Sequence, residues 1–132
     1  MNGRAVYLDS SAFLKLVMPE AESPALRAHL RRWPIRVSAA LLCTEALRAA
    51  LLVSTVRVVA VRRQLRPMVL IGMDRALLER AGTLGPPRMR SLDAIHVAAA
   101  LSLGSDLREL ITYDSRMAEA ASAQGLSVSA PS

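Results

Sequence analysis

Only one of the 132 residues is cysteine, Cys43. A single thiol excludes an internal disulfide and any multi-cysteine zinc site, which fits a reducing compartment and a side chain used for buried packing. Long apolar runs are also missing. The longest uncharged stretch, Ala120 to Ser132, is rich in serine, alanine and glycine, too short and too polar to span a bilayer. Arg4, Asp9 and Lys15 interrupt the N-terminal apolar residues, and no secretory cleavage pattern follows. A cytoplasmic protein with no membrane contact is expected. There is no internal repeat and no low-complexity linker, so nothing divides the chain, and residues 1–132 are expected to form a single domain.

Lysine is nearly absent too, yet the chain is strongly basic. Its 17 basic residues, all but Lys15 arginine, face 11 acidic ones for a net charge of +6, and the isoelectric point is about 11.0. Arginine forks match phosphate oxygens and release counterions on binding, so a polyanionic partner is one reading. An arginine-rich coding composition gives the same balance without any partner, so motifs must decide between them. Hydrophobic residues make up 52% and charged ones 21%, with a mean hydropathy of +0.29. That is enough apolar surface to offset chain entropy, and it excludes intrinsic disorder.

Apolar patterning alternates between short runs and helical periodicity along the whole chain. The run Ala5–Leu8 reads as a strand ending at Asp9, and Ala12, Phe13, Leu16 and Val17 then carry helical spacing as far as Pro19. Ser23 and Pro24 cap a second helix to Arg32. Ile35–Ser38 predicts a second strand, followed by helices over Ala39–Leu52 and Val56–Leu65 that are broken at Ser54 or Thr55. A third strand is expected at Met68–Ile71, and Asp74 caps a helix that Gly82 terminates. After the loop Gly85–Arg90, a helix opens at Ser91 and Asp93 and runs to Leu103 before Gly104. Glu109–Tyr113 predicts a fourth strand, Ser115–Ala123 a helix closed by Gly125, and Leu126–Val128 a short fifth strand. Strands that alternate with helices imply a three-layer α/β fold, a parallel sheet of about five strands flanked by helices.

In such sheets ligands bind at the carboxyl ends of strands near a topological switch point. Asp9 follows the first strand and Asp114 the fourth, while Glu45 and Asp93 lie near helix starts. If these four carboxylates converge, mutual repulsion raises their pKa values, and a hard divalent cation relieves that cost by taking oxygen ligands. A Mg²⁺ or Mn²⁺ site follows. Such an ion activates water and neutralises charge on a phosphoryl group. A basic surface with an acidic metal cleft points to a nuclease.

Four blocks carry a resemblance in this order: YLDSSAFLKL at 7–16, CTEALRAAL at 43–51, RSLDAIHVAAAL at 90–101 and LITYDSRMAEAA at 110–121. Together they resemble the PIN domain family, and more closely the stand-alone VapC-type toxins of toxin-antitoxin pairs. Residue by residue, the resemblance implies an acidic quartet of Asp9, Glu45, Asp93 and Asp114, with Ser10 and Thr112 as polar neighbours. It further implies dependence on Mg²⁺ or Mn²⁺, endonucleolytic cleavage of RNA, a homodimer, and inhibition by a cognate antitoxin.

Each acid also has a purely structural reading. Asp9 and Asp114 can cap the helices that follow them. Asp93 sits in a first turn, where the helix dipole favours an anion. Glu45 can pair with Arg48 on an exposed face, although its apolar neighbours point it inward. His96, among Ala94, Ile95, Val97 and Ala98, reads as core packing rather than as a base. Arg57, Arg62, Arg63 and Arg66 can follow RNA phosphates, bind an acidic partner segment, or form a solvated helix face. Two other classes compete with the nuclease. A phosphotransfer enzyme with a nucleophilic aspartate needs a second aspartate where Ser11 stands and a late lysine that is missing. A catalytically silent module that binds nucleic acid or a partner needs only the basic face. Carboxyls drawn around a common ion favour the enzyme, and scattered carboxyls favour the binder.

Overall fold

A computed structural model describes residues 2–132. Its sheet consists of β1 (Ala5–Leu8), β2 (Ile35–Ala39), β3 (Val69–Ile71), β4 (Leu107–Ile111) and β5 (Val128–Ser129). All pairings are parallel, in the order β3-β2-β1-β4-β5. The helices are α1 (Ser10–Leu14), α2 (Ser23–Arg32), α3 (Leu41–Leu51), α4 (Thr55–Leu65), α5 (Arg75–Gly82), α6 (Ser91–Leu101) and α7 (Ser115–Ala123). The expected architecture of a five-stranded parallel sheet between helices is the one observed.

The pleat of β1 explains the two cores. Ala5 and Tyr7 point into one layer, where they meet Leu77 and Ala81 of α5, Val97 and Ala98 of α6 and Met117 of α7. Val6 and Leu8 point the other way, onto Phe13 of α1, Leu26 and Leu30 of α2, Leu42 and Ala46 of α3 and Val61 of α4. Alternate residues of a strand face opposite sides, so a central strand covered on both faces must be apolar throughout. All four residues of β1 are 0% exposed.

The chain leaves β1 for β2 and β3 on one side, then crosses back to β4 on the other. The switch point therefore lies at the carboxyl ends of β1 and β4, where two connections diverge and open a crevice. Register places Leu8 opposite Ile111, so Asp9 emerges beside the residues that follow β4.

Several boundaries differ from expectation. β4 begins and ends two residues earlier than the apolar pattern indicated, so Thr112, Tyr113 and Asp114 form a short connection beyond the strand. The strand β5 falls at Val128–Ser129 rather than at Leu126–Val128. Gly82 is the last residue of α5 and keeps a right-handed backbone, whereas Gly104 after α6 and Gly125 after α7 take the left-handed conformation, at φ 54° and 82°. That conformation suits glycine because it lacks a Cβ. Cys43 is half-buried rather than fully packed away.

Candidate active site

Asp9 is placed by the strongest structural feature of the chain, the buried strand β1, and it caps α1 in extended backbone conformation. Its carboxylate is held by three donors. Oδ1 accepts the Ala12 backbone N–H at 3.0 Å and the Ser11 hydroxyl at 2.7 Å, and Oδ2 accepts the Thr112 hydroxyl at 2.5 Å. The residue is only 3% exposed. Burial outweighs those three hydrogen bonds and holds the Asp9 carboxyl above its ordinary range, so the ionised group is under-solvated where it sits. Thr112 takes its expected place as a polar neighbour. The other neighbour is Ser11 and not Ser10: Ser11 bonds Asp9, lies 3.2 Å from the Thr112 hydroxyl and accepts the Tyr113 N–H at 2.9 Å. Helical rotation decides this. Ser11 faces β4 across the crevice, while the Ser10 side chain makes no hydrogen bond among the described residues.

Glu45 sits in the second turn of α3, whose buried residues Leu42, Ala46 and Ala50 line the layer opposite α6. It does not pair with Arg48, which is exposed. Instead Oε1 lies 2.7 Å from His96 Nε2, a contact that joins the two helical layers across the carboxyl edge of the sheet. His96 is 1% exposed, and its Nδ1 lies 2.6 Å from the Tyr7 hydroxyl. That hydroxyl already accepts the Ala39 backbone N–H at 3.0 Å. With a neutral imidazole, both contacts are made when the Tyr7 proton is donated to Nδ1 and the ring proton sits on Nε2, donated to Glu45. Burial pushes the Tyr7 phenol far above its ordinary value, which keeps this donor protonated. His96 is thus more than packing. The signal available in the sequence was its position three residues after Asp93, on the same face of one helix.

Asp93 stands in the first turn of α6, half-buried, with Oδ2 3.6 Å from Arg90 Nε. Asp114 caps α7, its Oδ1 accepting the Arg116 backbone N–H at 2.9 Å, and its own N–H donates to the Thr112 hydroxyl at 3.1 Å. Asp9 and Asp114 are thus joined through Thr112, Glu45 is bonded to His96, and Asp93 stands one turn before His96 on α6 with Arg90 as its contact. The four acids are not drawn into a chelate: among the described residues no group of three His, Cys, Asp or Glu side chains is close enough to hold a metal ion.

The donor set nevertheless fits a hard divalent cation. All four groups are carboxylates; Glu45, Asp93 and Asp114 each keep an oxygen outside the contacts just described, and the buried charge on Asp9, whose two oxygens are both hydrogen-bonded, is one that a cation relieves. The contacts that keep Asp93 aside, a long ion pair to a half-exposed arginine, are weak and exchangeable.

Arg57, Arg62, Arg63 and Arg66, readable as an RNA contact, a partner contact or a solvated helix face, lie elsewhere. Arg57 donates from Nη1 to the Val17 carbonyl at 2.8 Å and braces α4 against the turn after α1. Arg62, Arg63 and Arg66 are exposed at the end of α4 that leads into β3. In a parallel sheet that end lies at the amino edge, away from the acids.

Comparison with known proteins gives this arrangement its family. A sequence model described as the PIN domain matches residues 6–123. The chain is 48% identical over 128 residues to Ribonuclease VapC46 of Mycobacterium tuberculosis, covering 97% of this chain and 98% of that one. It is 39% identical over 133 residues to Ribonuclease VapC35 of the same organism, with 96% of each covered, and 32% identical over 122 residues to Ribonuclease VapC47, with 85% and 86% covered. With a match that runs from β1 into the last turn of α7, over four of the five strands and all four acids, the chain belongs to the PIN domain family.

Proposed function

We infer that this chain is a metal-dependent endoribonuclease of the VapC type, the toxin of a toxin-antitoxin pair. The observation that carries this reading is the under-solvated Asp9 carboxylate at the switch point of a sheet whose sequence matches ribonucleases over nearly its full length. Asp9, Glu45, Asp93 and Asp114 are the ligands in this reading, with Mg²⁺ as the cation and Mn²⁺ as a substitute. When bound, a divalent cation lowers the pKa of water and neutralises charge that develops on the phosphoryl group.

The protein's own residues do the rest. Ser11, Thr112 and the Ala12 N–H fix both oxygens of Asp9, so it cannot rotate out of place when the substrate arrives. His96 aims Glu45 across the edge of the sheet by holding one oxygen and leaving the other free. Asp114 is oriented by the first turn of α7. Asp93 would join such a site by exchanging its long contact with Arg90 for the cation.

The same reading includes a cytoplasmic location, a cognate antitoxin protein and a homodimer. No helix among the described residues is long and apolar enough to cross a membrane. Leu51, Leu52, Val53, Val56 and Val59 are exposed around the turn between α3 and α4, which supports a protein partner there. Sedimentation equilibrium is expected to give about twice the 14.2 kDa chain mass. A mass of one chain at all concentrations overturns the dimer.

The decisive experiment for the activity is RNA cleavage with Mg²⁺, with Mn²⁺ and with excess chelator, using the native chain and Asp9→Asn. Cleavage by the native chain that needs the metal and collapses in the variant is the expected result. Full cleavage in chelator, or an undiminished variant, refutes the reading.

A further inference from the structure

Two clefts open beside the loop that precedes α6. The one between α5 and α6, of about 580 Å³, is lined by groups such as Leu78, Leu84 and Ile95 and by no charged side chain. The other, of about 470 Å³, lies between that loop and α7 and includes Asp93 in its wall. Its size falls within the roughly 300–1,000 Å³ typical of small-ligand sites. Arg88, Arg90 and Arg116 line it, over a floor that includes Met89 and Ala120.

We propose that this arginine-lined cleft is the subsite that receives the RNA nucleotide next to the scissile phosphate. The proposal rests on the ribonuclease reading and adds the surface along which the strand enters. Three observations carry it.

The first is continuity, since Asp93 belongs both to the acidic edge and to the wall of the cleft. Arg116, which also lines the cleft, adjoins the acids through its backbone N–H, bound by Asp114. The second is charge. Arg88 and Arg116 form no ion pair among the described residues, and Arg90 has only its long contact with Asp93. Unpaired guanidinium forks next to an acidic centre suit a phosphodiester whose neighbouring phosphate must be gripped while the scissile one is attacked. With Asp93 holding a cation instead, Arg90 would be free to join them. The third is shape. Met89 is half-buried and Ala120 is 8% exposed, so small apolar groups form the base of the cleft and leave room for a nucleobase over them. Glu119, three residues after Arg116 on α7, is the acceptor for an amino group on that base.

Topology supplies the control. Arg62 and Arg63 are as exposed as Arg88 and Arg116, but they lie toward the amino edge of the sheet. Only the second pair is placed to meet a strand that lies across the acids.

The test measures binding of a short single-stranded RNA to the full chain in excess chelator, as a function of salt. Arg88→Gln with Arg116→Gln is compared with Arg62→Gln with Arg63→Gln. Each phosphate contact on a single strand contributes about 0.7 to the slope of log affinity against log salt, so the cleft pair is expected to flatten it by about 1.4. The control pair is expected to leave it unchanged. In cleavage assays with Mg²⁺, the cleft pair is expected to raise KM at least tenfold with a smaller change in kcat. An unchanged slope in the cleft variant, an equal flattening in the control, or no RNA binding by the native chain overturns the proposal. Cleavage with an unaltered slope leaves the ribonuclease reading standing and removes the subsite. Salt-dependent binding through the cleft without cleavage leaves the cleft as an RNA-binding surface and overturns both the enzyme and the subsite.

Discussion

Replacing His96 by leucine tests whether the layers of this fold communicate with the acidic edge through one side chain. Leucine is apolar and of similar bulk, so the core stays filled while two hydrogen bonds, of 2.6 Å to Tyr7 and 2.7 Å to Glu45, are lost. The Tyr7 hydroxyl is then a fully buried donor with no acceptor, a loss of about 1–3 kcal/mol. The Glu45 side chain is 18% exposed, so water replaces part of its lost donor, and its share is nearer 1 kcal/mol. Together the substitution is expected to cost about 2–4 kcal/mol, a large part of the roughly 5–15 kcal/mol that holds a domain of this size.

Tyr7→Phe removes only the hydroxyl and orphans the Ala39 N–H and His96 Nδ1, for about 1–3 kcal/mol. If the three groups act as a unit, the double variant costs less than the sum of the singles by about 0.5–3 kcal/mol. Denaturant unfolding of the metal-free chain measures all three. The second readout is the rise in melting temperature on adding Mn²⁺. It is expected to shrink in His96→Leu, because Glu45 is no longer held, and to recover in part in His96→Gln, whose amide can still donate. A loss below about 0.5 kcal/mol together with an unchanged Mn²⁺ response refutes the argument, since a group that tethers nothing can be removed at that cost.

Asp9→Asn should behave oppositely in its two roles, abolishing cleavage while raising the melting temperature of the metal-free chain. Because burial raises the folded-state pKa above 3.8, ionisation works against the folded state. The gain from asparagine is therefore absent below that value, appears as pH rises past it, and is complete above the folded pKa. A melting temperature lower than native at neutral pH refutes the sign. Asp93→Asn is expected to leave metal-free stability level or higher, since its only ion pair among the described residues is a long one to Arg90, while the metal-induced rise shrinks and cleavage collapses; lost stability with cleavage and metal response intact assigns Asp93 to the fold. Asp114→Ala removes the cap of α7 and is expected to cost about 0.5–2 kcal/mol. Asp114→Asn keeps the acceptor for the Arg116 N–H and should restore most of that stability without restoring cleavage. Recovery of both by asparagine makes Asp114 a cap alone.

How much of this could be read from the sequence depends on the range of each interaction. The strand Ala5–Leu8 and the position of Asp9 were legible because a central strand is apolar at every residue and its end is marked by the first charge. The alternation of strands and helices was enough to imply the parallel sheet. Boundaries set by tertiary pairing were less legible. The strand β4 ends at Ile111 because its pairing with β1 ends there, at Leu8, and apolar patterning alone carried the strand on to Tyr113. The same limit explains the exchange of Ser10 for Ser11. Adjacent serines at a helix start are equivalent until the partner strand supplies Thr112 and the Tyr113 N–H on one side only.

His96 shows the limit most clearly. Its neighbours in sequence are apolar, and by local criteria it is a core residue, which is also where it lies. What makes it more than filler is that Tyr7 and Glu45 come from two other elements to meet it, with the Ala39 N–H bonded in turn to the Tyr7 hydroxyl. A buried imidazole must have both nitrogens satisfied, and in an apolar helix the partners have to arrive from elsewhere in the fold. A histidine buried among alanines one turn after a first-turn aspartate is therefore a demand for two polar partners near the head of that helix. In this chain one of those partners is a carboxylate of the acidic edge, so the stability of the core and the aim of Glu45 rest on the same ring.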